Sequence, residues 1–346
     1  MYIHQSVCIS PQHTYPAFNQ DSLIGPEAMV LKAIEPAYSA IPLNILRRMG
    51  KAVRMGSGAA LSLIENSGVP NGIIIGTANG GMEDCIKFLN QIVEYDEGRL
   101  TPTNFVQSTP NAIAAQIALL GNNKQYNITH VHRGLAFENA VIDAEMHIAE
   151  HPQNTYLVGG IDEISTYNYN IELLAGAYKS AFNPTESLYS QISPGSIAGE
   201  GVAMFMVNKN AIGAKAKLSA IKTIHTDNPE MVEDAFNIFL QQHSLKIGLG
   251  DVLLSGENAD SRLITYYSKI EQSFITHNNI LRYKHFTGEF PTASALSLWL
   301  GVEFLQSHTI PNHFIKSNVS DSKPERIFIY NTYKGLQHSF MLLEKV

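Results

Sequence analysis

The sequence predicts an α/β protein made of two pseudo-duplicated halves. Short apolar runs bounded by glycine alternate with segments whose apolar residues recur at helical spacing. This rhythm runs through residues 1–208 and starts again over 209–346, so the chain is read as two halves of one compact unit. The run Gly201–Val207 is apolar without alternation, as a strand covered on both faces must be. No residue-level repeat accompanies the rhythm.

The elements follow in order. Met1–Ser10 alternates like a strand. Leu43–Asn66 carries helical spacing and stops at Ser67-Gly68. Gly72–Gly76 is a buried strand, Met82–Glu94 a helix, and Asn111–Leu120 an Ala-rich helix ending at Gly121. A strand tip at Ile128–Val131 leads into a helix over Leu135–Ala149, stopped before Pro152. Tyr156-Leu-Val-Gly is the next strand. Ser180–Ser196, rich in Ser, Pro and Asn, is a long loop of the kind that often carries function. In the second half, Lys217–His225 and Asp251–Ser255 are strands. Met231–His243, a segment from about Asp260, and Thr292–Ser307 are helices. Ile327–Tyr330 and Ser339–Leu343 form a closing hairpin.

Composition excludes several classes. The formal charge of −7, with no basic stripe, argues against a nucleic-acid partner. No apolar run reaches the roughly 20 residues that span a bilayer. The N-terminus lacks a basic region before its apolar stretch, so no signal peptide is expected and the location is expected to be cytoplasmic. Two cysteines, Cys8 and Cys85, give no disulfide framework, and both are read as structural thiols. Gly76–Gly81 lacks the full dinucleotide pattern, so no nucleotide cofactor is expected. His130, His132, His285 and His338 have no compact ligand spacing, so no metal is expected either.

The motifs that remain come in a telling order. They are Arg47-Arg48-Met49, Gly76-Thr-Ala-Asn-Gly-Gly81, Thr109-Pro-Asn-Ala-Ile-Ala-Ala115, Asn127-Ile-Thr-His-Val-His-Arg-Gly-Leu135, Gly159-Gly160-Ile-Asp-Glu163 and Ser193-Pro-Gly-Ser-Ile-Ala-Gly-Glu-Gly201. Any one glycine-rich turn is weak evidence. The ordered set resembles the β-ketoacyl synthases, condensing enzymes of the thiolase superfamily. The resemblance implies the thiolase fold: two βαβαβ halves in five layers, α-β-α-β-α. At 346 residues the chain is short for that family, which implies trimmed cap loops.

Decarboxylating condensation needs a thiolate at a helix N-terminus, where the dipole favours it, and two His donors for the enolate. The family's elbow reads Thr-Ala-Cys-Ala-Ser-Gly. Keeping Thr129 and Gly134 in register puts Val131 at the nucleophile position, and a one-residue slip puts His132 there. The family's His-Gly-Thr-Gly-Thr aligns with Ser255–Ala259, so Ser255 replaces one His. Its Lys-x-x-x-Gly-His aligns with Lys284–Glu289, so Lys284 is kept and Glu289 replaces the other His. An ionised carboxylate repels a developing enolate. The closing Asn-Ser-Phe-Gly-Phe-Gly-Gly loop becomes Asn331–His338.

No catalytic residue is therefore expected, with Val131 plugging a closed remnant pocket. If the chain is active, His132 and Lys284 are the candidates. The pattern resembles the chain length factors of type II polyketide and aryl polyene pathways, silent homologues that pair with an active ketosynthase. This implies a ketosynthase subunit as partner, or a second copy of the chain, together with an acyl carrier protein. The pathway class implied is fatty acid or polyketide biosynthesis, including aryl polyene or flexirubin pigments. The alternatives are an acyltransferase or other acyl-carrier-dependent enzyme using His132, Ser255 or Glu289, and a homodimeric acyl-carrier-binding protein. A two-fold dimer is expected through the strand at Thr129 and the helix Asn111–Leu120, with Ala114 in the interface.

Overall fold

The structure is a computed structural model that describes residues 1–96, 98–275, 280–307, 309–317 and 323–346. The strands are β1 (Tyr2–Ile9), β2 (Val30–Leu31), β3 (Gly72–Gly76), β4 (Tyr126–His130), β5 (Tyr156–Asp162), β6 (Ala198–Gly199), β7 (Gly201–Asn208), β8 (Ala216–His225), β9 (Asp251–Ser255), β10 (Ile280–Arg282), β11 (Arg326–Tyr333) and β12 (Gln337–Glu344). Ten of them run in the order β10-β9-β11-β12-β8-β1-β7-β5-β3-β4, and β2 pairs with β6.

The order is duplicated. Numbered within its own half, each set of five reads 1-5-4-2-3 outward from the centre. In each half three parallel strands (β4, β3, β5 and β10, β9, β11) are continued by an antiparallel pair. Within the sheet the halves meet at β1 and β8, through Tyr2↔Lys217 and Ile3↔Ala216.

Strand alternation builds five layers. Ile74 of β3 points to the central layer with Phe137, Ala140 and Val141, while Ile73 and Ile75 point outward to the helices Lys51–Ser67 and Ala112–Leu120. In the other half Ile327 and Ile329 point inward. Phe328, Phe340 and Leu342 meet Val232, Phe236 and Phe239 of the outer helix Pro229–Gln242. The helix Ala293–Gln306 lies between the two half-sheets, against β5 and β7 on one side and β11 and β12 on the other. It is apolar on all sides because both its faces are covered.

Local differences from the sequence expectation have physical causes. Leu43–Asn66 is not one helix. It breaks into Leu43–Leu46 and Lys51–Ser67, because Gly50 turns the chain tightly past Asp84. A Cβ on Gly50 would lie 2.3 Å from that carboxylate. The helices Pro102–Gln107 and Thr166–Leu174 and the strand β10 escaped the sequence reading, since each is too short to show a period. Ala114 is also corrected. It is fully buried in the chain's own core against Lys51–Ser67, so it is not an interface residue. The exposed apolar residue of that helix is Leu119.

Candidate functional site

A pocket of about 290 Å³ opens where β3 and β5 end. It is lined by Asn79 and Glu163 just past those strands, by Tyr169 and Glu172 of the helix Thr166–Leu174, and by Tyr178, Asp260, Arg262, Glu289, Tyr333 and Lys334. Ligands of α/β sheets gather at such carboxyl ends of strands. Tyr169 stacks on Tyr178, ring centroids 5.4 Å apart, to form one wall.

Three of the pocket's carboxylates are paired with bases. Glu289 Oε1 accepts from Lys284 Nζ at 3.0 Å and Oε2 from Asn258 Nδ2 at 2.8 Å. Lys284 is completely buried behind it. Lys334 Nζ lies 2.5 Å from Glu172, and Arg262 lies 2.5 Å from Asp260, whose carboxyl is held below its ordinary value against burial by that guanidinium. Burial drives the Tyr178 and Tyr333 phenols well up, so neither serves as a base.

Two further carboxylates knit the floor. Asp162, at the end of β5, accepts from Asn79 N–H at 2.7 Å, Ala78 N–H at 3.0 Å, Thr77 Oγ1 at 3.1 Å and Thr292 Oγ1 at 2.9 Å. Burial nonetheless raises it to about 6. Glu163 accepts from Ala52 N–H at 2.9 Å and so satisfies an orphan donor at the start of Lys51–Ser67. Burial, reinforced by Asp84 and Glu200, raises it to about 7 from the ordinary 4.5.

Between those two pH values the folded state holds the Glu163 proton and the unfolded chain does not. This group's contribution is therefore fully present below 4.5 and is lost as pH rises through about 7. Glu163→Gln keeps an acceptor for Ala52 and removes that slope. The variant is expected to gain more thermal stability over wild type at pH 8 than at pH 5, by up to about 3 kcal/mol. Equal gains in melting scans at both pH values would contradict this.

Of the three aligned positions, only Glu289 lines the pocket. Val131 is 54% exposed on the single chain and does not line the pocket, so it is not the expected plug. It follows β4, the edge strand, and the chain then turns through Arg133 at φ +48° into a short 3₁₀ turn, Arg133–Leu135. Gly134 is required there, because a Cβ would lie 2.1 Å from Tyr333 Cβ. Its N–H, at the turn where a charge would be stabilised, is already donated to Gln337 Oε1 at 2.9 Å. His132 pairs with Asn139 on the surface and does not line the pocket either.

Ser255 is buried at the end of β9. Its Oγ donates to Glu271 Oε1 at 2.8 Å, within a network in which Lys316 joins Glu271 to Glu257. The four histidines weighed as ligands occupy separate hydrogen-bond sets. His130 faces Asp143, His132 faces Asn139, His285 faces Tyr189 and His313, and His338 faces Tyr330 and the Thr226 carbonyl. Burial lowers His285 to about 3 and His338 to about 4, keeping both neutral. Cys8 is buried and its thiol is pushed far up by desolvation. Among the described residues, the pocket lining contains no Cys, His, Ser or Thr.

Sequence reasoning missed the pocket's own residues. Tyr169, Glu172, Asp260 and Arg262 belong to no glycine-rich motif, and only the fold brings them beside Glu289.

Residues 25–178 match the family model described as beta-ketoacyl synthase, N-terminal domain. No curated protein sequence matches the chain. Among solved structures the chain is similar to a beta-ketoacyl synthase from Burkholderia phymatum STM815, at 17% identity and TM-score 0.75, over 92% of this chain and 88% of that one. It is similar to the ishigamide ketosynthase/chain length factor at 13% identity and TM-score 0.79, over 100% of this chain and 98% of that one. It is also similar to a ketosynthase in complex with its chain length factor from Xenorhabdus doucetiae, at 15% identity and TM-score 0.76, over 100% and 98%. At these identities the structures establish the fold, the five-layered thiolase type. No helix among the described residues is long and apolar enough to cross a membrane.

Proposed function

We propose that this chain, a β-ketoacyl synthase homologue by its residues 25–178 and its fold, is a catalytically silent partner subunit. In this reading it acts as chain length factors do, in fatty acid or polyketide-type biosynthesis, beside an active ketosynthase served by an acyl carrier protein. The observation that carries the reading is the pocket: among the described residues its lining has no Cys, Ser, Thr or His, and Glu172, Asp260 and Glu289 are each paired with a base. An acyltransferase or hydrolase reading lacks support, since Ser255 is bonded to Glu271 and no His joins that set.

The pairing surface we assign is β4 with its flanking helices. Among the described residues β4 ends the sheet and pairs only with β3, leaving its other edge open. Open edges are normally covered or blunted. Leu119 is 73% exposed on one flanking helix, and Met146 is exposed on the other, Ala136–Glu150. Continuing the sheet across a two-fold axis would cover both strand edge and apolar residues. Such an interface buries roughly 2,000 Å² or more.

Leu119→Arg places a charge on that surface without touching the core. Co-expression with a condensing enzyme, followed by size exclusion, is expected to give a complex with wild type. With Leu119→Arg the affinity should fall at least about tenfold, as loss of a central apolar contact does. Co-elution unchanged by the substitution would overturn the assignment. A chain that elutes as a monomer in every combination would overturn the partner reading itself.

A further inference from the structure

At the opposite end of β5 from the pocket, the helix Ala136–Glu150 closes on His147-Ile-Ala-Glu150-His151. One ligand atom each of His147, Glu150 and His151 lies within 4.8 Å of the others. From this we propose a binding site for one divalent transition-metal ion of the zinc class.

The chemistry fits in four respects. Two imidazoles and a carboxylate are the donors that borderline ions such as Zn²⁺, Co²⁺ and Ni²⁺ select, whereas Mg²⁺ and Ca²⁺ require oxygen. The spacing i, i+3, i+4 places all three on one helix face. Donor atoms about 2.1 Å from a common ion are at most about 4.2 Å apart, so exposed Glu150 and His151 need only a small rotamer adjustment to close on it. The helix C-terminus carries the negative end of the dipole and favours a cation.

A fourth residue, Asp143, lies one turn earlier on the same helix. His147 Nε2 lies 3.6 Å from Asp143 Oδ1, leaving the other ring nitrogen for the ion. Asp143 Oδ2 is itself fixed by Tyr126 Oη at 3.0 Å and His130 Nε2 at 3.0 Å, both from β4. The His147 ring also lies against the Tyr126 ring, centroids 4.1 Å apart. A carboxylate behind a ligating histidine orients the ring and raises its basicity. Asp143 thus ties the ligating His147 to the edge strand through Tyr126 and His130. Water or a further donor would complete the coordination.

The test uses the full chain without a polyhistidine tag. Titration with Zn²⁺ by calorimetry, and with Co²⁺ followed by its visible absorption, is expected to show one ion per chain at micromolar affinity. His151→Ala removes an exposed donor without disturbing packing and should weaken Zn²⁺ at least tenfold. Asp143→Asn, a positioning change, should weaken it about tenfold. Zn²⁺ should raise the melting temperature of wild type and not of His151→Ala. Absence of saturable binding, or binding unmoved by His151→Ala, overturns the site. An Asp143→Asn variant with wild-type affinity overturns the orienting role of that carboxylate.

Discussion

Glu289→Ala is expected to destabilise the protein by about 3–5 kcal/mol, a large fraction of any domain's stability. Lys284 is fully buried, and the carboxylate it donates to is Glu289, at 3.0 Å. Removing that carboxylate leaves a buried ammonium without its ion-pair partner. The backbone cannot shift to relieve this. Glu289 N–H donates to the Ile197 carbonyl at 2.8 Å, and the Glu289 carbonyl accepts from Gly199 N–H at 3.1 Å, so the residue is clamped to β6. Asn258 Nδ2 would also lose its acceptor. The double variant Lys284→Met with Glu289→Leu removes both charges and should recover most of the loss, because a buried pair contributes little net against an apolar replacement. Denaturant titration of both single variants and the double variant gives the coupling. A cost below about 1 kcal/mol for Glu289→Ala would show that the pair is not what holds this wall of the pocket.

The second expectation is chemical silence. The chain alone, given acyl-loaded and malonyl-loaded carrier proteins, should form neither a covalent acyl adduct nor a ketoacyl product. Among the described residues no Cys, Ser or Thr lines the pocket. Loss of one oxyanion-type donor typically costs about 10²–10³ in rate, so loss of both is enough to hide turnover. The structure explains why restoring the chemistry needs more than the nucleophile. Val131→Cys should yield a thiol open to alkylation, since Val131 is exposed on the single chain, yet no condensation. Glu289→His strands Lys284, and Ser255→His must displace the bond to Glu271. The triple variant is therefore expected to be destabilised as well as necessary for any malonyl decarboxylation. Intact mass and product analysis decide the matter. An acyl adduct on the unaltered chain would refute silence. So would decarboxylation by Val131→Cys alone at a rate near that of the triple variant.

The duplicated α/β rhythm was legible because strand and helix periods are local properties of the chain. Gly72–Gly76 and Gly201–Val207 announce covered strands by lacking polar residues, and β11 with β12 announces a hairpin. Val131, Ser255 and Glu289 were singled out for a different reason: they sit inside ordered motifs, so register alone aligns them with the catalytic positions of the family the sequence resembles. Register does not give direction. That Val131 points outward, that Ser255 turns to Glu271 and that Glu289 answers Lys284 follow from how the strands, turns and half-sheets meet. The face of a nearly uniform apolar helix is equally invisible before packing, which is why Ala114 proved buried while Leu119 is exposed. Asp143, His147 and Tyr126 form one cluster only because β4 lies beside the helix Ala136–Glu150. Local sequence periodicity sets which elements form. Side-chain partners, burial and charge balance arise from contacts distant in sequence, and only the assembled layers decide them.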